Sequence, residues 1–223
     1  MTGDFAVVGT GTGVGKTVVT AGLVGWLREE GVDATAVKPC QTGYPPDDDA
    51  AYVAEACGTD DAATCLRRLE PALAPAVAAE QVDAELPYDE IRAGCAHILE
   101  GSEVGVVEGI GGLRVPLAGG REVLDLVADL AIPVVIVARS GLGTLNHTAL
   151  TVAALDRRSV PVSGVVLNEY EGATTAERTN PAVIERMTGE SVATLPPLAT
   201  GKPTAVVDGV RNHVPRSLVP AFE

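Results

Sequence analysis

The stretch "FAVVGTGTGVGKT", residues 5–17, constrains the fold more than any other part of the chain. An apolar, β-rich run over 5–9 gives way to glycines at 9, 11, 13 and 15, and a helix-forming stretch over 16–30 follows at once. Small residues let successive backbone N–H groups curl around an anion, and the start of a helix adds its positive end. In a loop of this kind a Lys such as Lys16 reaches the outer phosphates, and a hydroxyl such as that of Thr17 faces Mg2+. The strict spelling G-x-x-x-x-G-K-[ST] wants Gly at position 10, where this chain has Thr10. That substitution requires only that position 10 avoid a left-handed backbone. The rival dinucleotide pattern G-x-G-x-x-G is met from none of these glycines. The segment therefore predicts a nucleoside triphosphate site between a strand and a helix.

The rest of the chain repeats that alternation. Strands are expected at 33–38, 104–109, 132–138 and 162–168, with a last short one within 191–198. Helices are expected at 47–58, 88–100 and 121–130, and residues 141–155 read as a loop entering a helix. Residues 60–87, rich in proline and alanine, show no clear period, and the signal weakens beyond 170. Runs such as "IPVVIVA" (132–138) are apolar on both faces, which marks a parallel sheet covered by helices on both sides. The fold class is α/β: one domain over 1–223 with a mostly parallel β-sheet flanked by helices, of the P-loop NTPase type. The strand order does not follow from these patterns.

Composition narrows the partners. Net charge is −14, from 16 Lys+Arg against 30 Asp+Glu, which disfavours nucleic acid and anionic membranes. The acidic excess reads either as plain solubility or as adaptation to a salt-rich cytoplasm. No apolar run reaches transmembrane length, and no basic segment followed by an apolar one opens the chain, so the expected compartment is the cytoplasm. Cys40, Cys57, Cys65 and Cys95 form no C-x-x-C pair, and a zinc site is not expected.

A phosphate loop is not a function, so other residues must choose one. Lys38, in "VKPCQTG", sits at the carboxyl end of the second strand, where α/β ligand sites lie. A second cation there can stabilise a transferring phosphoryl group. One carboxylate of "DDDA" (47–50) is a candidate Mg2+ ligand, and another is a candidate helix cap. Glu108 ends the apolar strand of "VVEGIGG", where a buried charge needs a partner, and Mg2+ beside Thr17 is a natural one. Gly109, Gly111 and Gly112 then permit close approach of phosphate or substrate. Gly143 and Thr144 lead into a helix whose N–H groups suit a carboxylate. Asn168 ends another strand and is read either as a contact to a nucleobase edge or as a turn residue.

Taken together, "GTGTGVGKT", "KPCQTG", "DDDA", "VEGIGG", "GTLNHT" and a late "LPPL" resemble, in order and spacing, the dethiobiotin synthetase family. That family writes its phosphate loop G-T-x-T-x-V-G-K-T, with Thr where the strict pattern has its first Gly. The resemblance runs from residue 5 to about 198. It implies ATP-dependent ring closure in biotin synthesis, in which 7,8-diaminopelargonic acid and CO2 form a carbamate. ATP converts the carbamate into a carbamic–phosphoric anhydride, and the second amine closes the ureido ring.

The resemblance also implies roles. Gly13, Val14, Gly15, Lys16, Thr17 and Val18 would cradle the phosphates, with Lys16 on the β/γ oxygens. Thr17, Asp49 and Glu108 would hold Mg2+. Lys38 would act with Lys16 as the catalytic pair, facing carbamate and γ-phosphoryl. Thr42, Gly111 and Gly112 would bind substrate, and Gly109, Ile110 and Gly111 would line the nucleotide side. Asn168 and Glu169, with Pro196, Pro197 and Leu198, would contact the base. The family's sites lie at a homodimer interface, so Gly143, Thr144, Leu145 and Asn146 would bind the far substrate carboxylate from the partner subunit. This chain departs from the pattern at Gly13, where some members have Glu, and at Glu169, where Asp is frequent. It departs also at Ile110 and Arg114.

The alternative is a switch ATPase of the partition or cell-division-site class, which shares the sheet and the loop. That class carries an extra Lys at the loop's second position, where this chain has Gly11. A non-catalytic nucleotide-binding subunit is a further alternative, disfavoured by the second lysine and the two carboxylates.

Overall fold

The computed structural model describes residues 3–222. Strand β1 (Phe5–Gly9) is entirely buried and delivers the chain into the glycine-rich loop. Helix α1 (Lys16–Glu29) starts on Gly15, held at φ 97°, and Gly31 with φ 86° follows its end. Strand β2 (Ala34–Lys38) carries Lys38 as its last residue, and a two-residue strand β3 (Gln41–Thr42) follows. Helix α2 (Asp49–Cys57) is capped by Asp48, whose side chain accepts from Ala51 N, and Gly58 terminates it at φ 70°.

The segment without a clear period resolves into small pieces: β4 (Ala63–Cys65), β5 (Arg68–Leu69) and helix α3 (Pro75–Gln81). Helix α4 (Tyr88–Gly101) then leads to β6 (Val104–Gly112). This strand is longer than expected. Pairing with β1 resumes at Gly9↔Gly112 after an irregularity, so Glu108 lies in mid-strand and the glycines after it continue the strand.

Another difference falls at 121–130. Pro116–Ala118 (β7) and Arg121–Glu122 (β8) form a hairpin, and helix α5 (Val123–Leu130) begins only after it. Gly119 and Gly120 both have positive φ, 57° and 75°, as a two-residue turn between antiparallel strands requires. The chain continues through β9 (Val134–Arg139), α6 (Thr144–Asp156) and β10 (Val162–Asn168). Beyond 170 it forms α7 (Thr175–Thr188), β11 (Val192–Thr194) and α8 (Pro203–His213).

Seven strands make one sheet in the order β11-β10-β9-β1-β6-β2-β4, with every neighbouring pair parallel. Successive side chains alternate between two apolar cores. Ala6, Val8, Val107 and Ile136 face one, and Phe5, Val7, Val106 and Val135 face the other. Helices α1, α2 and α8 cover the second core. There α1 meets α8 across Gly22 and Gly25, whose absent side chains leave room for Val210 and Val207. The sheet so ordered brings the carboxyl ends of β1, β2, β9 and β10 to one edge, with β6 between β1 and β2. Ligand sites of open α/β sheets lie along that edge.

Candidate active site

A cavity of about 690 Å3 opens at this edge. The phosphate loop forms one wall through Thr12, Gly13, Gly15, Lys16 and Thr17. Lys38, Asp49 and Thr42 lie across from it, and the loop 72–74 with Val115 closes the remaining side. Helix α1 points its first turn into this space with no side chain capping it, which leaves its N–H groups for a ligand.

Lys38 is 5% exposed and is the centre of the charged cluster. Its Nζ lies 2.5 Å from Asp49 Oδ2 and 2.8 Å from Glu108 Oε1, and it also donates to Gly109 O at 3.3 Å. Thr17 Oγ1 donates to Glu108 Oε1 at 2.9 Å. Gln41 positions the backbone of Asp49. Its Oε1 accepts from Asp49 N at 3.1 Å while its Nε2 donates to Thr42 O at 2.9 Å. Burial opposes the charge on Lys38, but Glu108 and Asp49 outweigh it and push the group up to about 12. Burial, reinforced by Asp49, raises Glu108 against the pull of Lys38. Burial works against the Asp49 charge too, yet the Lys38 ammonium holds that carboxyl below its ordinary value.

Lys16 is buried as well. Its Nζ donates to Gly11 O at 3.1 Å and Gly111 O at 3.0 Å, so two carbonyls from β6 and the loop hold it at the cavity wall. Burial and then the positive charge of Lys38 lower it to about 8. A lysine so disposed gains by meeting anionic phosphate.

The oxygen donors of Thr17, Asp49 and Glu108 fit a hard divalent cation. Such donors are of the kind Mg2+ takes, which uses one or two carboxylates and draws its other ligands from water and phosphate. Two of the three donors already share contacts with one ammonium group, so the space between them suits a cation.

The other expected residues distribute as follows. Val18, Ile110, Gly111, Asn168 and Glu169 line the cavity. Asn168 is buried and its Nδ2 donates to Val14 O at 3.2 Å, facing the loop. A Cβ on Gly15 would fall 2.0 Å from that nitrogen. Glu169 adopts φ 54°, and its carbonyl accepts from Ser140 Oγ at 3.0 Å. Pro196, Pro197 and Leu198 are not among the cavity-lining residues. Leu198 turns instead against Gly209 of α8. Gly143, Thr144, Leu145 and Asn146 are also outside the cavity. They open α6 on a second depression, next to Leu142, which is 93% exposed.

Sequence reasoning missed several wall residues. Ala72, Leu73 and Ala74 lie within the stretch that had no period, and Val115 carries no chemical signature. Gln41 was hidden inside a motif singled out for its lysine and threonine. Arg139, whose Nη2 donates to Gly13 O at 3.3 Å from outside the cavity, follows directly on the apolar run 132–138 and was not singled out.

A parallel sheet with a glycine loop after its central strand, a buried Lys beside that loop and two carboxylates next to the loop's threonine define a P-loop nucleotide-binding protein. A family model described as an AAA domain matches residues 4–204. The septum site-determining protein MinD of Pyrococcus horikoshii, solved with Mg-ADP, superimposes with a TM-score of 0.62 over 100% of this chain and 95% of that one. At 16% identity that likeness concerns the fold alone. The chain belongs to the ATP-dependent dethiobiotin synthetase family. It is 66% identical to the BioD protein of that name from Haloferax mediterranei, covering 96% of this chain and 93% of the relative. It is 42% identical to another from Anaeromyxobacter sp. (strain K), covering 85% and 88%.

Proposed function

We propose that this chain is a dethiobiotin synthetase, closing the ureido ring of dethiobiotin from 7,8-diaminopelargonic acid, CO2 and ATP. The observation that carries the reading is the position of Lys38. It stands within one cavity with the phosphate loop, Asp49 and Thr42, and is paired with the buried Glu108, in a chain of this family. A nucleotide switch needs the loop and the metal ligands. A buried second lysine facing a cavity wider than the phosphates is what phosphorylation of a small acid needs.

The reaction asks little covalent chemistry of the protein. The uncharged amine of the substrate takes up CO2 and releases a proton, giving a carbamate. A carbamate oxygen attacks the γ-phosphorus and ADP leaves, forming the mixed anhydride. The second amine attacks the carbamoyl carbon, the ring closes, and phosphate departs with a proton lost from nitrogen. Lys38 would hold carbamate and γ-phosphoryl together and offset the charge shared between them. Lys16 and the N–H groups of Gly13–Thr17 would hold the β/γ oxygens. Thr17, Asp49 and Glu108 would hold Mg2+, which when bound neutralises phosphate charge. Thr42 would bind the substrate end, with Gly111 and Gly112 leaving space for the reacting carbons, and Asn168 and Glu169 would flank the base. Pro196–Leu198 join them in this reading only if that segment turns toward the nucleotide.

The substrate's far carboxylate would be bound at Gly143–Asn146 of a second copy in a homodimer. Their absence from the cavity lining and the exposed Leu142 and Leu150 beside them support that arrangement. The four cysteines are all free, which accords with a reducing compartment, and we assign the protein to the cytoplasm. The excess of 30 acidic over 16 basic side chains supports work at high salt.

Incorporation of labelled bicarbonate into acid-stable product tests the reading. Protein, Mg2+ and labelled bicarbonate are incubated with or without ATP and diaminopelargonic acid, at low and at molar KCl. Label fixed only with both ATP and the diamine is expected, with higher turnover in molar KCl. ATP hydrolysis with no label at either salt would instead favour the switch ATPase.

A further inference from the structure

Two side chains from neighbouring strand ends each hold one carbonyl of the phosphate loop. Arg139 and Asn168 are direct partners across the β9–β10 pair. Arg139 Nη2 donates to Gly13 O, and Asn168 Nδ2 donates to Val14 O, the next carbonyl along. In a trans peptide unit the C=O and the N–H that follows it point in opposite directions. A donor that captures Gly13 O therefore turns the Val14 N–H to the other side of the loop. A donor that captures Val14 O does the same to the Gly15 N–H.

Four further observations agree. Arg139 does not line the main cavity. It lines a separate depression of about 240 Å3 with Thr10, Gly11 and Val14, whereas Asn168 lines the main cavity. Gly13 and Gly15, which flank the two held peptides, take the positive φ values of 68° and 97° that let the planes alternate. A Cβ at position 13 would lie 3.3 Å from Arg139 Nη2, and one at position 15 would collide with Asn168 Nδ2. In a chain with 30 acidic side chains, Arg139 makes no ion pair among the described residues, and its guanidinium goes to the loop carbonyl instead.

We propose that Arg139 and Asn168 form a clamp that sets the peptide planes of the phosphate loop: Arg139, from outside the main cavity, turns the Val14 N–H toward the triphosphate, and Asn168, at the cavity edge, fixes the next plane. Arg139 is a positioning residue in this scheme, acting through Gly13. Asn168 acts on the phosphates through Val14, in addition to any contact it makes with the base. The inference rests on the ATP-site reading above.

Binding of two ligands to the full-length protein tests it: ATP, and inorganic tripolyphosphate, which has no base. Titration calorimetry with Mg2+ present would compare wild type with Arg139→Ala, Arg139→Gln and Asn168→Ala, with thermal melts to confirm folding. Arg139→Ala is expected to weaken both ligands about tenfold and equally, the scale of one charge-assisted hydrogen bond. Arg139→Gln keeps a donor and should stay within about threefold of wild type. Asn168→Ala should weaken both ligands. In turnover, Arg139→Ala should raise KM for ATP and leave KM for the diamine unchanged, a split that general loss of structure would not give.

Unaltered binding by Arg139→Ala overturns the clamp. Arg139→Gln binding as weakly as Arg139→Ala overturns it too, because charge and not the hydrogen bond would then matter. Loss of ATP but not tripolyphosphate in Asn168→Ala makes Asn168 a base contact only. Wild-type protein that binds neither ligand overturns the ATP reading, and the clamp falls with it.

Discussion

Lys38 Nζ lies 2.8 Å from Glu108 Oε1, and the two side chains are 6% and 2% exposed. The contact follows from the sheet. Val37 pairs with Val107 across β2 and β6, so the next residue on each strand projects to the same side. Each charge is tolerable in the interior because the other is there, and Asp49 makes the cluster net negative until a further cation enters.

Removing the lysine separates binding from chemistry. Lys38→Ala should still bind ATP but close the ring at least ~100-fold more slowly, the scale of losing a preorganised charge contact. Single-turnover label incorporation at saturating ATP measures it. Near-normal turnover would remove Lys38 from the mechanism.

Replacing the carboxylate acts on the metal. Glu108→Gln keeps the shape and a hydrogen-bond acceptor but removes the charge. The Mg2+ concentration needed for half-maximal turnover should rise about tenfold, with KM for the diamine little changed. An unchanged Mg2+ titration would count against Glu108 as a ligand.

Lys16 gives a pH dependence with a definite sign. Burial and Lys38 bring it to about 8 in the free protein, and bound phosphate favours its charged form. Above about pH 8 the free protein has lost this proton, and binding must take one up. Affinity for ADP should therefore be full below pH 8 and fall as pH rises through it, by up to tenfold per unit. Calorimetry in buffers of different ionisation enthalpy would detect the proton uptake, and Lys16→Arg should abolish the slope. Affinity independent of pH between 7 and 9.5 would refute the assignment.

The contact of α1 with α8 is testable by packing alone. A Cβ on Gly22 would lie 2.2 Å from Val210 Cγ2, a fully buried β-branched side chain with little freedom to move. Alanine gains about 1 kcal/mol of helix propensity over glycine, but overpacking costs about 1–3 kcal/mol. Gly22→Ala should therefore lower stability in urea denaturation, and adding Val210→Ala should recover part of the loss. A more stable Gly22→Ala would show that the two helices yield.

The phosphate loop and its flanking strand and helix were readable in the sequence because all their determinants lie within thirteen residues. Lys38 was readable because a proline follows it and a strand precedes it. Its pairing with Glu108 was not, since strand order is a property of the whole sheet and leaves no local pattern. Glu108 was assigned to a strand end because three glycines follow. In the fold those glycines stay within β6, and Gly112 pairs with Gly9 beside the loop. The wall at 72–74 escaped notice because it is a loop between the two-residue β5 and the short helix α3, with no period to detect. Arg139 escaped because its partner, the carbonyl of Gly13, lies 126 positions away.

The central place of β1 has a bearing on how the protein is made. It is the first strand in the chain, yet it pairs with β6 and β9, which begin at Val104 and Val134. The glycine face of α1 meets α8, at Pro203–His213. On a ribosome the nucleotide loop thus emerges before every strand that flanks β1. It stays without its supports until β10 has brought Asn168 to Val14 O, so ATP can help only late in folding and cannot template its beginning.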